Sequence, residues 1–339
     1  GIIYKYFFAL NWMILGIDCT GHTFGIGIVR NGKILSNIRD MFETEKGGII
    51  PVEAAKHHRD ASEIIYRKAL EKAGMNENEI DAIALSNAPG LAPCLLSGLE
   101  FAKKKAKELG VKIIPVNHCI AHLEIGRSVG AKDPVLLYAS GANTQIIAYA
   151  SGRYRIFGET LDLGIGNFID KVARHFGLGF PGGPKIEELA KKANIRDYIE
   201  LPYSIKGMDV SFSGIGTKIE QLYRKGNSKE DLSFSLQETA FAMLIEAAER
   251  ALAHTGKKEL VLGGGVACNS RFQEMCRIMC KERGAKYFCP SKDLLTDNGA
   301  MIAFTGELMY NADKKIAVDS NKIDISPRER TDKVNVVWR

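Results

Sequence analysis

Residues 13–35, "MILGIDCTGHTFGIGIVRNGKIL", read as an apolar run, a small polar loop, a second apolar run, and a turn with Gly and a basic residue. Residues 134–160, "PVLLYASGANTQIIAYASGRYRIFGET", repeat that layout. Each segment predicts a β-hairpin followed by a further strand. "MILGIDCT" is one strand, Gly21 and His22 lie in the turn, and "TFGIGIVRNGKIL" passes a second turn at Asn31-Gly32. Two hairpin-led halves in one chain imply an internal duplication at the scale of a domain.

Between the hairpins, strand and helix alternate. Residues 53–74 carry apolar side chains at helical spacing and end at Gly74. "IDAIALSNAPG" (80–90) is a strand entering a Gly/Pro loop, residues 94–109 form the next helix, and "KIIPVN" (112–117) the next strand. Asn117 is placed to cap a helix carrying His118 and His122. Beyond the second hairpin, "ELVLGGGVACNSRFQEM" (259–275) is a buried strand, three glycines and a helix. This alternation predicts an α/β layered fold. The expected divisions are a first lobe over 13–134, a second over 135–299, and a helix at 300–312 returning to the first lobe. Residues 313–339 are highly charged, lose periodicity and read as a C-terminal tail or linker. Residues 1–20 are apolar enough to suggest a signal or membrane segment, but Lys5 interrupts them and no polar cleavage region follows. Residues 1–12 read as an extension upstream of Met13, with an extra edge strand as the alternative.

A chain of 339 residues allows one large or two moderate domains. Its 45% hydrophobic and 25% charged residues suit a globular protein with a full core and no membrane association. The net charge of +6 permits an acidic partner such as nucleic acid without requiring one. The seven cysteines are odd in number, scattered through apolar stretches and free of any CxxC pair. They read as reduced, mostly buried thiols in a cytoplasmic protein.

The hairpin loops are the first candidates for chemistry, because Gly-containing turns leave backbone N–H groups free for anionic oxygens. The first carries Asp18, Thr20, His22 and Thr23; the second carries Ser140, Gly141, Asn143 and Thr144. Facing each other across a cleft, they would cradle a polyphosphate or an acyl phosphate. Either alone is equally an ordinary turn. Gly263–Gly265 would let a purine and ribose approach a strand end, with the Asn269 amide in reach; tight strand–helix packing explains the glycines as well. In residues 158–189, Asp170 lies on an amphipathic helix, while Gly182 and Gly183 precede a helix start with Glu187 on it. That pattern suits a ligand lying on backbone with its ribose held by a carboxylate, or simply a surface turn with an acid favoured by the helix dipole.

In "NHCIAH" (117–122), His118 and His122 share one helix face and could hold one ion. Such a pair also arises by chance, and further ligands are needed; Tyr138 and Asp297 are the candidate oxygens. Histidine with oxygen ligands suits iron, zinc or manganese rather than magnesium. A metallopeptidase would need Glu directly after the first histidine, where Cys119 stands, and Glu124 lies on another face. For nucleic acid, the basic candidates are Lys103–Lys107, Arg174 with His175, and the Arg-rich tail, although a solvated helix face explains the lysines.

Together, "GGIIPVEAAKHH", "NHCIAHLEIG", "SGANTQ", "FPGGP", "MDVSFSGI", "GGGVACNSRF" and "LLTDNGAMIAFTG" strongly resemble the Kae/TsaD/OSGEP family in its archaeal–eukaryotic branch, over roughly residues 13–339. The resemblance implies the duplicated ASKHA (actin-like, sugar-kinase-like) fold with a nucleotide cleft between two lobes. It implies a tRNA N6-adenosine threonylcarbamoyltransferase. The reaction would carry threonylcarbamoyl from threonylcarbamoyl-AMP to N6 of the adenosine beside the anticodon, position 37, in tRNAs reading ANN codons. The chain would be the catalytic subunit of KEOPS, with the small atypical kinase of that complex, in some archaea fused beyond the tail, and its other subunits as partners. The implied metal ligands are His118, His122, Tyr138 and Asp297, for one divalent ion, iron first and zinc second. The implied contacts to an ATP or adenylate ligand are Tyr138, Ala139, Ser140, Gly141, Ala142, Asn143, Asp170, Gly183, Glu187 and Asn269. Asp18 is the candidate acceptor of the amine proton. Two departures stand out: Ala142 replaces the family's usual Gly, and Asp18 replaces the Glu of many archaeal relatives. The competing classes are an ASKHA-type ATPase or phosphotransferase and a nucleotide-binding scaffold for a kinase partner.

Overall fold

The computed structural model describes residues 11–44 and 49–339. Of the expected extension, only Asn11 and Trp12 lie among them. Trp12 packs edge-on against Tyr310, ring centroids 5.4 Å apart, under the Lys314 ammonium.

The first hairpin is β1 (Met13–Asp18) and β2 (Thr23–Arg30), paired antiparallel from Met13↔Arg30 to Asp18↔Gly25, with β3 (Lys33–Met41) on its outer edge. The Asn31-Gly32 turn has positive φ at both residues, as a two-residue hairpin turn needs. After α1 (Pro51–Ala73), β4 (Ala82–Ala88) joins β1 in parallel; after α2 (Ala92–Leu109), β5 (Lys112–Asn117) joins β4. The sheet order is β3-β2-β1-β4-β5.

The second half repeats it. Strands β6 (Val135–Ala139), β7 (Thr144–Ala150) and β8 (Arg153–Glu159) are the antiparallel meander, and β11 (Glu259–Gly263) and β12 (Lys286–Phe288) add in parallel. The sheet reads β8-β7-β6-β11-β12, strand for strand the order of the first. Between β8 and β11 lie α4 (Ile165–His175), α5 (Gly183–Ala190), the short ribbon β9 (Ile205–Lys206) with β10 (Asp209–Val210), α6 (Ser213–Arg224) and α7 (Lys229–Thr255). Helix α8 (Ser270–Glu282) connects β11 to β12.

Two helices are sandwiched between the sheets: α3 (His118–Glu124) and α10 (Gly299–Ala312), the latter reached through the short α9 (Lys292–Leu295). Their apolar residues join Leu136, Tyr138 and Val261 of one sheet to Ile14, Ala84 and Val116 of the other in a single cluster. Separate clusters fill the outer face of each sheet, beneath α1 and α2 on one side and α7 and α8 on the other. With both faces covered, β1 and β6 are buried at every position, which explains their unbroken apolar runs. Helix α10 lies so close to the first sheet that a Cβ on Gly16 or Gly27 would stand 2.2 Å from the backbone of Ala303 or Ala300. No helix among the described residues is long and apolar enough to cross a membrane.

Residues 313–339, read from the sequence as a tail, lie along the body of the protein. Val318 exchanges backbone hydrogen bonds with Ile113 at 2.8 and 2.9 Å, and Ile323, Thr331 and Trp338 are buried. The apolar residues doing this are spaced irregularly, so no periodicity announces them.

Candidate active site

Helix α3 starts where β5 ends. Asn117 has extended backbone there, and its Oδ1 accepts from the N–H groups of Cys119 and Ile120 at 3.1 and 3.3 Å. This cap turns the chain so that His118 and His122 point into the space between the sheets. His118 Nδ1–H donates to Asp18 Oδ1 (3.1 Å), with Thr20 Oγ1 3.2 Å from the same nitrogen. A carboxylate on Nδ1 leaves Nε2 as the presented atom. That Nε2 lies 3.3 Å from Asp297 Oδ1, and His122 Nε2 lies 3.5 Å from the same oxygen. The possible ligand atoms of His118, His122 and Asp297 all fall within 4.8 Å of one another. The Tyr138 ring, fully buried, packs 4.7 Å from His122, so the fourth expected ligand stands beside the other three.

A cation fits these residues on two counts. Both ring nitrogens of His122 and Asp18 Oδ2 are buried without a hydrogen-bond partner, an arrangement that is costly without one. The donors are two imidazoles and a carboxylate, suited to a transition metal. Without an ion, burial opposes charge on His118, yet Asp18 and Asp297 outweigh it and hold its pKa well above the usual histidine value. Burial pushes His122 down, while the two imidazoles keep Asp297 well below the carboxylate range despite its burial. Because a metal takes a neutral imidazole, a cation and a proton compete for His118.

The second hairpin loop lies next to this cluster. Ser140 closes it: its N–H and hydroxyl both donate to Asn143 O (2.9 Å each), and Asn143 N–H donates back to Ser140 Oγ (3.1 Å). The loop rests on the start of α4, where Gly166 N–H donates to Ser140 O and Asn167 N–H to Gly141 O. From the other side comes Gly264, at φ +91°, where a Cβ would stand 2.3 Å from Ala139 O. Gly141 and Ala142 are exposed at the tip. Positive φ among the non-glycine residues described occurs only at Asn31 and Ser151, so Ala142 needs no glycine-like backbone.

The remaining sequence-predicted residues lie on α4, on α5 and at the start of α8. Asp170 Oδ1 accepts from Gly182 N–H at 2.7 Å, and burial raises its pKa. Nothing lies within 4 Å of a Cβ placed on Gly183, which therefore borders open space. Glu187 is bonded to the Ser270 N–H and hydroxyl, tying α5 to α8. Asn269 caps α8 by accepting from Phe272 N–H (3.0 Å) and donates to Gln237 Oε1 (2.6 Å). Most of its amide is thus committed within the protein, and Asn269 serves first as a helix cap.

Asp18 ends β1 at 0% exposure. The carboxylate thereby has a partner in His118 in place of an open approach to a substrate amine. The first loop is also held by His58, whose Nε2–H donates to Gly21 O at 2.9 Å. Arg39 of β3 reaches across to Thr296 and the backbone oxygens of Asp293 and Asp297, fixing the segment that carries the third candidate ligand. Neither His58 nor Arg39 announces this in the sequence; only the tertiary approach of β3 and α1 makes their partners visible. Glu124 is buried, paired with Arg127 and Arg339, and turned away from the histidines. Of the basic run, Lys105 is buried over the Tyr66 ring, and Lys104 pairs with Glu63 and Glu108. His175 pairs with Glu220 at 3.6 Å.

Known proteins share this sequence and this architecture. The profile of the TsaD family, described as tRNA N6-adenosine threonylcarbamoyltransferase, matches residues 33–304. The tRNA N6-adenosine threonylcarbamoyltransferase of Thermococcus kodakarensis is 54% identical over 325 residues, which is 96% of this chain and 99% of that protein. A probable bifunctional tRNA threonylcarbamoyladenosine biosynthesis protein of Methanosarcina mazei is 50% identical over 96% of this chain, which spans 59% of its length. Among solved structures, Thermococcus kodakarensis HypF superposes with a TM-score of 0.62 at 16% identity, over 88% of this chain and 47% of that one. At that identity the likeness is one of fold, the ASKHA architecture that the two matching sheet orders already describe.

Proposed function

We infer the reaction from one premise: the chain belongs to the TsaD family of tRNA N6-adenosine threonylcarbamoyltransferases and is a transferase of tRNA threonylcarbamoyladenosine biosynthesis. We propose that it carries the threonylcarbamoyl group from threonylcarbamoyl-AMP to N6 of adenosine 37 in tRNAs reading ANN codons. It acts in the cytoplasm as the catalytic subunit of a KEOPS assembly, beside an atypical small kinase. The bifunctional name of the Methanosarcina relative supports a partner domain in some species. The observation that carries the reading is the gathering of His118, His122 and Asp297 beside the second hairpin loop.

In this reading His118, His122, Asp297 and Tyr138 hold one divalent ion, iron or zinc. Bound there, it supplies Lewis acidity toward the oxygens of the adenylate. The protein's own groups do the rest. The loop from Tyr138 to Asn143 presents its exposed tip to the phosphate and acyl group, and its closed Ser140–Asn143 turn keeps that tip from shifting. Asp170, Gly183 and Glu187 border the ribose, and Gly263–Gly265 with Asn269 border the purine. Asp18 fixes the His118 tautomer, so that Nε2 is always the atom offered.

The test is reconstitution with purified partner subunits, adenylate donor and unmodified tRNA, comparing the wild-type chain with the His118→Ala/His122→Ala double variant. Modified adenosine and bound metal should both disappear in the variant. Full modification by a metal-free double variant would refute the metal's role. Modification without this chain would reduce it to a scaffold.

A further inference from the structure

Residues 325–339 hold α3 at both of its ends. At the start, the capping Asn117 donates through Nδ2 to Glu329 Oε2 at 3.0 Å, and the buried Thr331 lies against Cys119. At the end, Glu124 is fully buried and bound by the last residue of the chain: Arg339 Nε donates to Oε1 at 2.8 Å, and Nη2 stands 2.7 Å from the same oxygen. The Tyr154 hydroxyl donates to that oxygen too, and Trp338 Nε1–H donates to the Tyr154 oxygen at 3.0 Å. Arg127 closes the other side of Glu124 at 2.5 Å. Trp338 is 3% exposed and the Arg339 side chain 6%. The clasp also joins the lobes, because Tyr154 belongs to β8 of the second sheet while α3 follows β5 of the first.

Helix α3 is seven residues long, too short to hold its own conformation in water. Its rotation about its axis decides whether His118 and His122 both face Asp297. A buried carboxylate such as Glu124 is tolerated only with its cations in place, so Arg339 has a defined register to enforce.

We propose that the C-terminal strap is a positioning element of the metal site, with Glu329 and Arg339 fixing the ends of α3 and so the spacing of His118, His122 and Asp297. The proposal rests on reading those three residues as metal ligands.

Two measurements test it on the full chain: amide hydrogen exchange across 118–124 in metal-free protein, and the Zn2+ dissociation constant by competition with a chelator. The variants are Arg339→Ala, Arg339→Lys and Glu329→Gln. The control is Ile323→Ala, a buried residue just before the strap that packs in the outer cluster of the first lobe. Arg339→Ala should raise exchange in α3 about tenfold and weaken Zn2+ about tenfold, the scale of losing outer support at a metal site. Arg339→Lys should recover part of both, and Glu329→Gln should move both in the same direction by less. Ile323→Ala should lower the melting temperature and leave both readings at wild-type values. Wild-type exchange in α3 of Arg339→Ala overturns the proposal, as does Ile323→Ala reproducing both effects. If Arg339→Ala fails to fold, Trp338→Phe, which removes the bond to Tyr154 along with part of a buried ring, gives the same two readings. A wild-type chain that binds no Zn2+ refutes the ligand reading, and the exchange measurement still decides the strap.

Discussion

The two hairpin loops occupy equivalent places in two copies of one sheet, yet they are fastened by different partners. The first, between β1 and β2, is held by side chains from three elements, His118 to Asp18, Cys19 N–H to Ser86 Oγ and His58 to Gly21 O, beside two backbone bonds from Leu91 and Phe42 to Thr20 O and His22 O. The second, between β6 and β7, is held largely by backbone: Ser140 N–H to Asn143 O, Gly166 N–H to Ser140 O, Asn167 N–H to Gly141 O, and the close pass of Gly264. Duplication supplied the same scaffold twice and the loops then divided the work. One turns a carboxylate inward to hold a histidine. The other is closed on itself by Ser140 and Asn143 and leaves an exposed tip at Gly141 and Ala142.

Glycine substitutions break this comparison most severely. Gly264→Ala puts a Cβ at positive φ and against Ala139 O, and should cost about 3 kcal/mol of stability. By displacing the second loop it should cut tRNA modification about 100-fold. Gly21→Ala in the first loop meets nothing closer than Asp297 Oδ2 at 3.8 Å and should leave the melting temperature nearly unchanged. Equal losses in the two variants would end the claim that the loops are fastened differently. A step down in size is Asp18→Asn, which keeps the shape but removes the carboxylate on His118 Nδ1. Zn2+ affinity should fall about 10- to 100-fold with the fold intact. An unchanged affinity would show that Asp18 does not prepare the site.

The contrast also explains what could be read from the sequence. The hairpins and their repetition are local patterns, as is the i, i+4 histidine pair, so the duplicated fold was legible and so were two of the four candidate ligands. Asp297 and Tyr138 were candidates by residue type and became specific through the family resemblance. The fastening itself is non-local. Asp162 is partly buried, which raises its pKa, but the Ser213 hydroxyl and the N–H groups of Ser213 and Phe212, some fifty residues on, donate to it and lower the value to about 2. Arg339 meets Glu124, and Trp338 meets Tyr154, across most of the chain. The charge of 313–339 suggested a solvated tail because its pairing partners sit on other elements. The cap made by Asn269 was not legible, because a cap and a ligand contact ask for the same amide.

His58 gives a smaller effect that reads the first loop by pH. Burial, opposed by its bond to Gly21 and assisted by His57, lowers its pKa from the ordinary 6.5 to about 4. The folded state therefore keeps His58 neutral where the unfolded chain protonates it. Its contribution is complete above pH 6.5 and is lost as pH falls from 6.5 toward 4, by at most about 3 kcal/mol. His58→Gln keeps a donor for Gly21 O and removes the titration. Urea unfolding at pH 7, 5.5 and 4.5 should show a steeper acid loss for wild type than for this variant. Parallel curves would mean that His58 is free to ionise in the folded protein.

The smallest effect expected is at Ala142, where the second loop departs from the family's usual glycine. If that loop depended on a left-handed residue at this position, Ala142→Gly should stabilise the protein and raise its rate. The backbone argues the reverse. Ala142 is not at positive φ and its side chain is exposed, so alanine carries no strain there. Glycine would only enlarge the freedom of the unfolded chain, lowering stability by about 0.5 to 1 kcal/mol. Modification rate should stay within about twofold, because the turn is set by Ser140, Asn143 and Gly264 rather than by residue 142. Thermal unfolding and a single-turnover assay on the Ala142→Gly variant decide it: a gain in both would place a strained residue at the tip of the loop.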